Sequence, residues 1–260
     1  LPNSEGRIFA DVDLLISEDQ LERLERQLNA GGWITRQLNP YDENYYRRWT
    51  HELPPLMHAE REVEVDLHHN ILPRTARIKP PAEKIVADAI PLENSIYYVP
   101  RDTDIALHAV VHLVFDSDFV DKLRDLVDIR DLLRHFAQEP DFWDRFVLRA
   151  EQFGLQRPVY YAIRYVEVVL GWQVPASVRE DIYKWRPPAV VSRLMDGMVT
   201  RAILPRHPED NSLRTWFSEL MLYMRSHWLR MPPWLLAYHL TYKFFAIRFR
   251  GASNLTEPSG

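Results

Sequence analysis

The spacing of apolar residues predicts a strand and then a helix at the start of the chain. Val12 and the run from Leu14 to Ile16 lie among polar neighbours and predict a strand that enters a core. Ser17 is a good N-cap, and leucines then recur every three or four residues, at positions 21, 24 and 28. This stripe predicts an amphipathic helix that ends at the glycine pair 31–32.

The next segments predict a small sheet. Residues 33–38 favour a strand, whereas residues 39–48 are polar and aromatic, which is typical of a loop or a short hairpin. Residues 51–57 and 62–67 predict two antiparallel strands joined by a turn at 58–60. Prolines at positions 73, 80 and 81 then mark a loop before residue 82.

The character of the chain changes at Asp102. Residues 104–135 show helical periodicity with a break around 116–118, and further helices are predicted over 140–155, 158–170, 177–185 and 211–230. Proline pairs at 187–188 and 232–233 are typical of linkers. The sequence therefore predicts an α+β fold, with a small mixed or antiparallel sheet and flanking helices over residues 1–100 and a mostly helical region over residues 101–260.

The most informative chemical feature is the pair Asp11 and Asp13 on the first predicted strand. Alternate side chains of a strand point to the same side, so these two carboxylates project together. Asp66 lies on another predicted strand, among hydrophobic neighbours. Neighbouring carboxylates repel one another and resist desolvation unless a cation lies between them, and oxygen ligands suit Mg²⁺ or Mn²⁺. The alternative is that all three are solvated acids at the ends of strands.

These features occur in an order that resembles the nucleotidyltransferase (polymerase β-like) superfamily: an Asp-x-Asp strand, an amphipathic helix, a glycine turn and a third acid on a later strand. More narrowly, the chain resembles a bacterial family known as uncharacterised nucleotidyltransferases, from residue 7 to about residue 135. The motifs that carry the resemblance are Arg7-x-x-x-Asp11-Val-Asp13-Leu-Leu-Ile, Gly31-Gly32-Trp33 and Val65-Asp66-Leu67-His68.

The resemblance implies an enzyme that moves a nucleoside monophosphate from an NTP to an acceptor with Mg²⁺ or Mn²⁺. It implies that Asp11, Asp13 and Asp66 are the catalytic metal ligands and that Asp66 helps to activate the acceptor hydroxyl. Arg7 would bind a triphosphate oxygen or neutralise the acids. His68 shares the strand face of Asp66, where it would contact a metal or phosphate or form a hydrogen bond with a neighbouring carboxylate.

One departure from the superfamily keeps other functions open. The phosphate-binding glycine turn that normally precedes the Asp pair is not matched by residues 4–6, which lie too close to Asp11. We therefore expect that this turn lies outside the chain, or that nucleotide is bound differently or not at all. The alternatives are a catalytically silent protein of this fold with a binding or regulatory role, and a metal-dependent phosphohydrolase.

The helical region is expected to form the far wall of a cleft whose floor carries the three acids. The sheet alone offers too little surface for a second substrate, and ligands commonly bind where two such units meet. Residues 104–135 are the expected wall, with His112 and Asp128 as candidates. His108 and His112 have a spacing that is able to chelate zinc, although histidines on apolar helices more often serve packing or hydrogen bonding.

The composition is that of a globular protein and excludes sites that need cysteine. The 260 residues are 46% hydrophobic and 27% charged, which is ordinary for a globular protein, and the net charge of −5 gives no overall basic signature for nucleic acid. The absence of cysteine excludes a disulfide scaffold and cysteine-ligated metal sites. The first residues contain no signal-peptide pattern and no apolar run reaches transmembrane length, so we expect a cytoplasmic protein.

Residues 221–250 combine basic and aromatic side chains and contain no acid. Such a composition is compatible with RNA binding or with contact to an anionic membrane surface. It is most often a packed pair of helices whose cations reach solvent. The acceptor is accordingly left open, as a small molecule, a protein side chain or an RNA end.

Overall fold

The computed structural model describes residues 11–36, 38–61, 63–116, 119–205, 212–238 and 241–242. The first part of the chain contains all the described strands and several helices. In chain order these are β1 (Asp11–Leu15), α1 (Leu21–Ala30), β2 (Trp33–Thr35), α2 (Pro40–Trp49), β3 (Leu56–His58), β4 (Glu64–His68), α3 (Ala82–Ala87), β5 (Ile90–Pro91) and β6 (Tyr98–Val99).

The first four strands form one mixed sheet in the order β1-β4-β3-β2, and β5 and β6 form a separate hairpin. β1 and β4 are parallel, whereas β3 pairs antiparallel with both β4 and β2. The register pairs Asp13 of β1 with Asp66 of β4. Since paired residues share a face of a sheet, both carboxylates lie on the same side. The predicted strands are confirmed, although those expected over 33–38 and 51–57 are shorter.

The opposite face of the sheet is apolar. Leu14, Val65 and Leu67 alternate with the acids and pack with Leu21 of α1 and with Leu56 of β3. Burial of such side chains stabilises the fold by roughly 1.5–3 kcal/mol each. A shift of the register by one residue would bring the acids into this core, so the apolar face fixes the side on which the acids lie.

Helices account for most of the rest of the described chain. They are α4 (Asp102–Val111), which continues into a π-helical turn (His112–Asp116), α5 (Leu123–Phe136), α6 (Phe142–Gln152), α7 (Gln156–Leu170), α8 (Ala176–Lys184), α9 (Ala189–Ala202) and α10 (Leu213–Arg230). These helices share one large hydrophobic cluster, and Leu15 at the end of β1 packs against it. The predicted α+β class, a small mixed sheet with flanking helices followed by a mostly helical region, is confirmed.

The prediction of a loop or hairpin over residues 39–48 is wrong, because these residues form α2. The side-chain oxygen of Asn39 accepts hydrogen bonds from the two backbone N–H groups that follow Pro40, at 3.1 and 3.0 Å. Pro40 suits the first turn, acids follow it there, and two arginines lie in the last turn. Tyr41 is buried and stacks on Tyr242, with 3.7 Å between ring centroids.

Helix α9 has no counterpart among the predicted helices. The proline pair 187–188 is typical of a linker, but a proline is also common immediately before or at the first turn of a helix. The buried residues of α9 follow the helical spacing of three and four, at Ser192, Met195, Val199 and Ala202. None of the described helices is long and apolar enough to cross a bilayer.

Candidate functional site

Two of the predicted acids lie together where the parallel strands meet. Asp13 and Asp66 occupy paired positions, and each has a carboxylate oxygen within 4.8 Å of the other and of a ring nitrogen of His68. Asp11 lies on the same face of β1 and lines the same pocket, but it does not belong to this group of three. The parity of the two strands, which the sequence predicted, therefore brings Asp13 and Asp66 closest together.

His68 lies between two carboxylates. Its Nε2 is 3.2 Å from Oδ1 of Asp13, and its Nδ1 is 3.6 Å from Oε2 of Glu52. Glu52 reaches this position because it forms an isolated antiparallel bridge with His68 ahead of β3. Burial opposes the protonated form of His68, but the hydrogen bond to Asp13 and the charge of Glu52 outweigh it and raise its pKa. The same hydrogen bond lowers the pKa of Asp13.

Asp66 has an oxygen without a partner. Its Oδ1 is buried and forms no hydrogen bond within the described part of the chain. Burial raises the pKa of Asp66, and the charge of Asp13 acts in the same direction. An unpaired buried acceptor destabilises a protein by roughly 1–3 kcal/mol. A divalent cation would remove this penalty and the repulsion together, so Asp13 and Asp66 fit Mg²⁺ or Mn²⁺.

A pocket of about 580 Å³ opens above these acids and is called the polar pocket below. Its walls come from several elements: Tyr45 and Tyr46 belong to α2, and His108 and His112 belong to α4 and the π-helical turn. Burial lowers the pKa of His108 to about 4, so its imidazole is neutral at pH 7. π-helical turns occur often at functional sites, and this one begins at the pocket.

Arg230 is the one lysine or arginine among the described residues that line the polar pocket. Its Nε is buried and has no hydrogen-bond partner there, and one Nη lies 3.5 Å from Oγ of Ser226. Oγ1 of Thr75 donates a hydrogen bond of 2.6 Å to the carbonyl of Arg230 and so fixes the end of α10 beside the pocket. A guanidinium placed in this way can bind an anion through its planar fork of donors.

A second group of potential metal ligands adjoins the first through His68. His51, Glu52 and His68 each place one ligand atom within 4.8 Å of the others. Burial lowers the pKa of His51 to about 3, and its Nδ1 is buried without a partner in the described residues. The two groups share His68 and are therefore not independent. Its Nε2 faces Asp13 in the first group, and its Nδ1 faces Glu52 in the second.

The sequence identified part of this arrangement. Asp11, Asp13, Asp66 and His68 all line the polar pocket, while Arg7 lies outside the described residues. From the helical region, the pocket includes both histidines of the predicted pair, whose ring centroids are 6.4 Å apart. Neither histidine joins a group of three or more potential ligands among the described residues, and Asp128 does not line the pocket.

Sequence reasoning missed Glu52, His51 and Arg230. Glu52 and His51 precede β3 in a segment without a motif. Two backbone hydrogen bonds bring them to the end of β4, from the N–H of His69 to the carbonyl of His51 at 2.8 Å and from the N–H of Leu53 to the carbonyl of Leu67 at 2.9 Å. Arg230 is far from the acids in the sequence and was one of many basic residues near the C-terminus. No local pattern distinguishes these three residues from ordinary surface groups.

Comparison with known proteins places this chain in a family. The family described as uncharacterised nucleotidyltransferase matches residues 1–171, which is more than half of the chain. The match includes both strands that carry the acids and the helix that carries His108, but not Arg230. No curated protein and no solved structure matches the chain. The chain belongs to the family of uncharacterised nucleotidyltransferases.

Proposed function

We propose that the protein transfers a nucleoside monophosphate from an NTP to the hydroxyl group of an acceptor, with Mg²⁺ or Mn²⁺. In this reaction the acceptor oxygen forms a bond to the α-phosphorus, and the bond from that phosphorus to the oxygen bridging to the β-phosphate breaks. Pyrophosphate leaves, and the hydroxyl proton passes to a base. The family supports the general kind of activity, while the nucleotide, the acceptor and the metal are our proposals.

The observation that carries this proposal is the paired position of Asp13 and Asp66 together with the unpartnered buried Oδ1 of Asp66. Such a pair needs positive charge, and it lies on the floor of a pocket large enough for a nucleotide. Asp11 lines the same floor and would complete the set of carboxylates. When bound there, a divalent cation neutralises the triphosphate and makes the acceptor hydroxyl more acidic.

Asp13 and Asp66 have different surroundings, and we assign them different roles in the reaction. The hydrogen bond from His68 lowers the pKa of Asp13, which keeps that carboxylate ionised, whereas burial raises the pKa of Asp66. Asp66 is therefore the stronger base of the two, and we assign to its second oxygen, Oδ2, the proton of the acceptor hydroxyl, which leaves the buried Oδ1 for the cation. Glu52 holds the other side of the His68 ring and keeps it oriented toward Asp13.

Arg230 supplies positive charge within the polar pocket. Its guanidinium has no carboxylate partner within the described residues, and the acids that line the same pocket would hold the nucleotide through metal. A triphosphate is the part of an NTP that suits a planar fork of donors. We therefore assign to Arg230 a contact with the phosphates, a role that a glycine turn has in the superfamily that the sequence resembles.

The proposal is tested by incubating the protein with each α-labelled NTP, Mg²⁺ or Mn²⁺, and a cell extract, and then identifying what becomes labelled. Asp13→Asn and Asp66→Asn proteins serve as controls that keep the size of each side chain. We expect one NTP to label an acceptor with the wild type and much less with either variant. A labelled acceptor that forms equally well with the variants contradicts the proposed site.

The other two functions predict different products from the same incubation. A phosphohydrolase would release labelled nucleotide into solution without labelling an acceptor. A catalytically silent protein would leave the NTP unchanged, although it would still bind nucleotide. Either result with the wild type contradicts the transferase.

A further inference from the structure

A second cavity, of about 570 Å³, lies on the other side of the His68–Asp13 pair. It shares Asp13, His68 and His108 with the polar pocket, so the two spaces meet at these three side chains. A molecule in this cavity would have one end beside the acids and the phosphates of an NTP in the polar pocket. This cavity is called the apolar chamber below.

The walls of the apolar chamber are mainly hydrophobic. They come from the ends of β1 and β4, from α3, from the β5–β6 hairpin and from the start of α4, with Ile71, Ile85, Val86, Ile96, Tyr97 and Ile105 among the lining residues. The hairpin presents some of these side chains openly, since Ile96 is 86% exposed and Tyr98 is 66% exposed. Apolar side chains left exposed around a cavity next to a reactive site are typical of a binding site.

No unpaired charge lines the far end of the chamber among the described residues. Asp104 lines it, but both carboxylate oxygens of Asp104 accept hydrogen bonds from Arg149, at 2.7 and 2.8 Å. The side chain of Asn70 is occupied by Pro80 and by the backbone N–H of Ile71. No lysine or arginine is found among the described residues that line the chamber. Apart from the phenol groups of Tyr97 and Tyr98 on the hairpin, the polar side chains that remain available are Asp13, His68 and His108, and these lie at the end that meets the polar pocket.

We infer that the apolar chamber binds the acceptor, and that the acceptor is an uncharged small molecule with an aromatic or aliphatic body and a hydroxyl group at one end. The inference rests on the proposed function, because it gives the substrate class of the same transfer reaction. A charged body would lose its hydration against Ile85, Val86 and Ile96 without gaining a partner. The hydroxyl would lie beside Asp66 and Asp13, where its oxygen bonds to the α-phosphorus and its proton passes to the carboxylate.

The test uses three probes that share a phenol ring and differ in the charge of a short side chain. Tyrosol is neutral, tyramine is a cation and 4-hydroxyphenylacetate is an anion. Their binding to the full chain is measured by ligand-observed NMR titration without nucleotide. We expect tyrosol to bind about tenfold more tightly than either charged probe, because only it avoids burying an unpaired charge. Equal affinities for the three probes, or no binding of tyrosol, would overturn the inference.

Variants at exposed positions locate the site without disturbing the core. Val86 lines the chamber and is 36% exposed, and Val190 on α9 is 67% exposed and lines neither cavity. Val86→Asp should weaken tyrosol binding about tenfold and shift the preference toward tyramine, whereas Val190→Asp should change neither. Unchanged tyrosol binding in Val86→Asp would place the probe elsewhere and overturn the inference.

A parallel titration with Mg²⁺ and each NTP separates this inference from the proposed function. If Val86→Asp weakens the binding of tyrosol but the protein binds no NTP, the apolar chamber is a binding site for neutral small molecules and the proposed transfer reaction is contradicted. If the protein binds NTP but does not prefer tyrosol to the charged probes, the proposed function is retained and the inference about the apolar chamber is overturned. Val86→Asp should bind NTP as the wild type does, because Val86 does not line the polar pocket.

Discussion

Asp13 and Asp66 occupy paired positions on the parallel strands β1 and β4, with carboxylate oxygens within 4.8 Å of each other. The apolar face of the same strands fixes this arrangement, because a change of register would bury both acids in the core. The pair is therefore held at a short distance whether or not a cation is present. Among the described residues, His68 is the one neighbour that forms a hydrogen bond to Asp13, and Oδ1 of Asp66 has no such partner.

Divalent cations should stabilise the protein through these two acids. A cation present at a hundred times its dissociation constant adds about 2.7 kcal/mol to the free energy of unfolding, which raises the melting temperature of a chain of this size by several degrees. Asp13→Asn should reduce the rise caused by Mg²⁺ or Mn²⁺, and it should also relieve repulsion in the metal-free protein. Differential scanning calorimetry of both proteins, with and without metal, measures these effects.

Asp144→Asn is the matched control, because Asp144 is exposed on α6 and lies outside both groups of potential ligands. It should respond to metal as the wild type does. Equal metal-induced shifts in the wild type and in Asp13→Asn would mean that Asp13 is not a ligand.

Arg230 should contribute to the affinity for the phosphates and not to the affinity for the nucleoside. Arg230→Met should weaken the binding of a non-hydrolysable NTP analogue by about 1.5–3 kcal/mol, since a charged hydrogen bond is worth that much. Binding of the corresponding nucleoside should stay the same, and Arg230→Lys should retain part of the NTP affinity. Isothermal titration calorimetry gives both constants.

Arg77→Met is the control for a purely structural effect on α10. Nε of Arg77 donates a hydrogen bond of 3.1 Å to the carbonyl of Trp228, and the guanidinium lies 4.2 Å from the centroid of the Trp228 ring, but Arg77 does not line the polar pocket. If Arg77→Met weakens NTP binding as much as Arg230→Met, the role of Arg230 is to hold the helix and not to bind phosphate.

The sequence predicts those parts of the site that depend on patterns among neighbouring residues. The alternation in β1 and β4 is local, and together with the order of motifs in the resembled family it was enough to predict that Asp13 and Asp66 lie close together. The cap at Asn39 and Pro40 is equally local, and it is a stronger indicator of α2 than the polar and aromatic composition is of a loop. The expected division at residue 100 stays a prediction.

The remaining parts of the site depend on contacts that no local pattern encodes. Glu52 reaches His68 through a single bridge between segments, and Arg230 reaches the pocket because α10 ends beside Thr75. The apolar chamber likewise requires the β5–β6 hairpin to lie against α3 and α4. Each of these depends on tertiary packing between residues far apart in the sequence, which a reading of one sequence does not provide.

Stability should fall in acid partly through Asp102 at the start of α4. Burial alone would raise the pKa of Asp102, but two hydrogen bonds from Arg145, at 2.7 and 2.8 Å, outweigh it, so its pKa lies below the usual 3.8. A carboxyl group with a lowered pKa stabilises the folded state above its unfolded pKa, and this contribution is lost as the pH falls through the folded value. Asp102→Asn should therefore cost about 1–2 kcal/mol at pH 7 and progressively less below pH 3.8.

Urea unfolding of the wild type and Asp102→Asn at pH 7, 5 and 3.5 measures this difference. The exposed Asp144→Asn variant corrects for the general loss of negative charge. A difference between the wild type and Asp102→Asn that is the same at all three pH values would contradict the role of ionised Asp102.

Arg149 should be the most sensitive of the ion-paired residues in the helical region. It bonds to Asp104, whose side chain is 1% exposed, and to Asp88 at 2.9 Å, and so ties α6 to α4 and to the end of α3. Arg149→Met would leave a buried carboxylate without its partner, which typically destabilises a protein by about 3–5 kcal/mol. Arg26→Met, which removes an arginine from an exposed pair with Glu22 on α1, should have a much smaller effect in the same urea unfolding experiment.

The central claim is that Asp13 and Asp66 direct the transfer of a nucleoside monophosphate, and a comparison of two labels tests it most directly. The preferred NTP is labelled at the α-phosphate in one reaction and at the γ-phosphate in another, each with Mg²⁺ or Mn²⁺ and cell extract. The account predicts that wild-type protein attaches the α-label but not the γ-label to an acceptor, and that Asp66→Asn attaches the α-label much more slowly. Attachment of the γ-label to the acceptor, or equal transfer of the α-label by the wild type and Asp66→Asn, would contradict it.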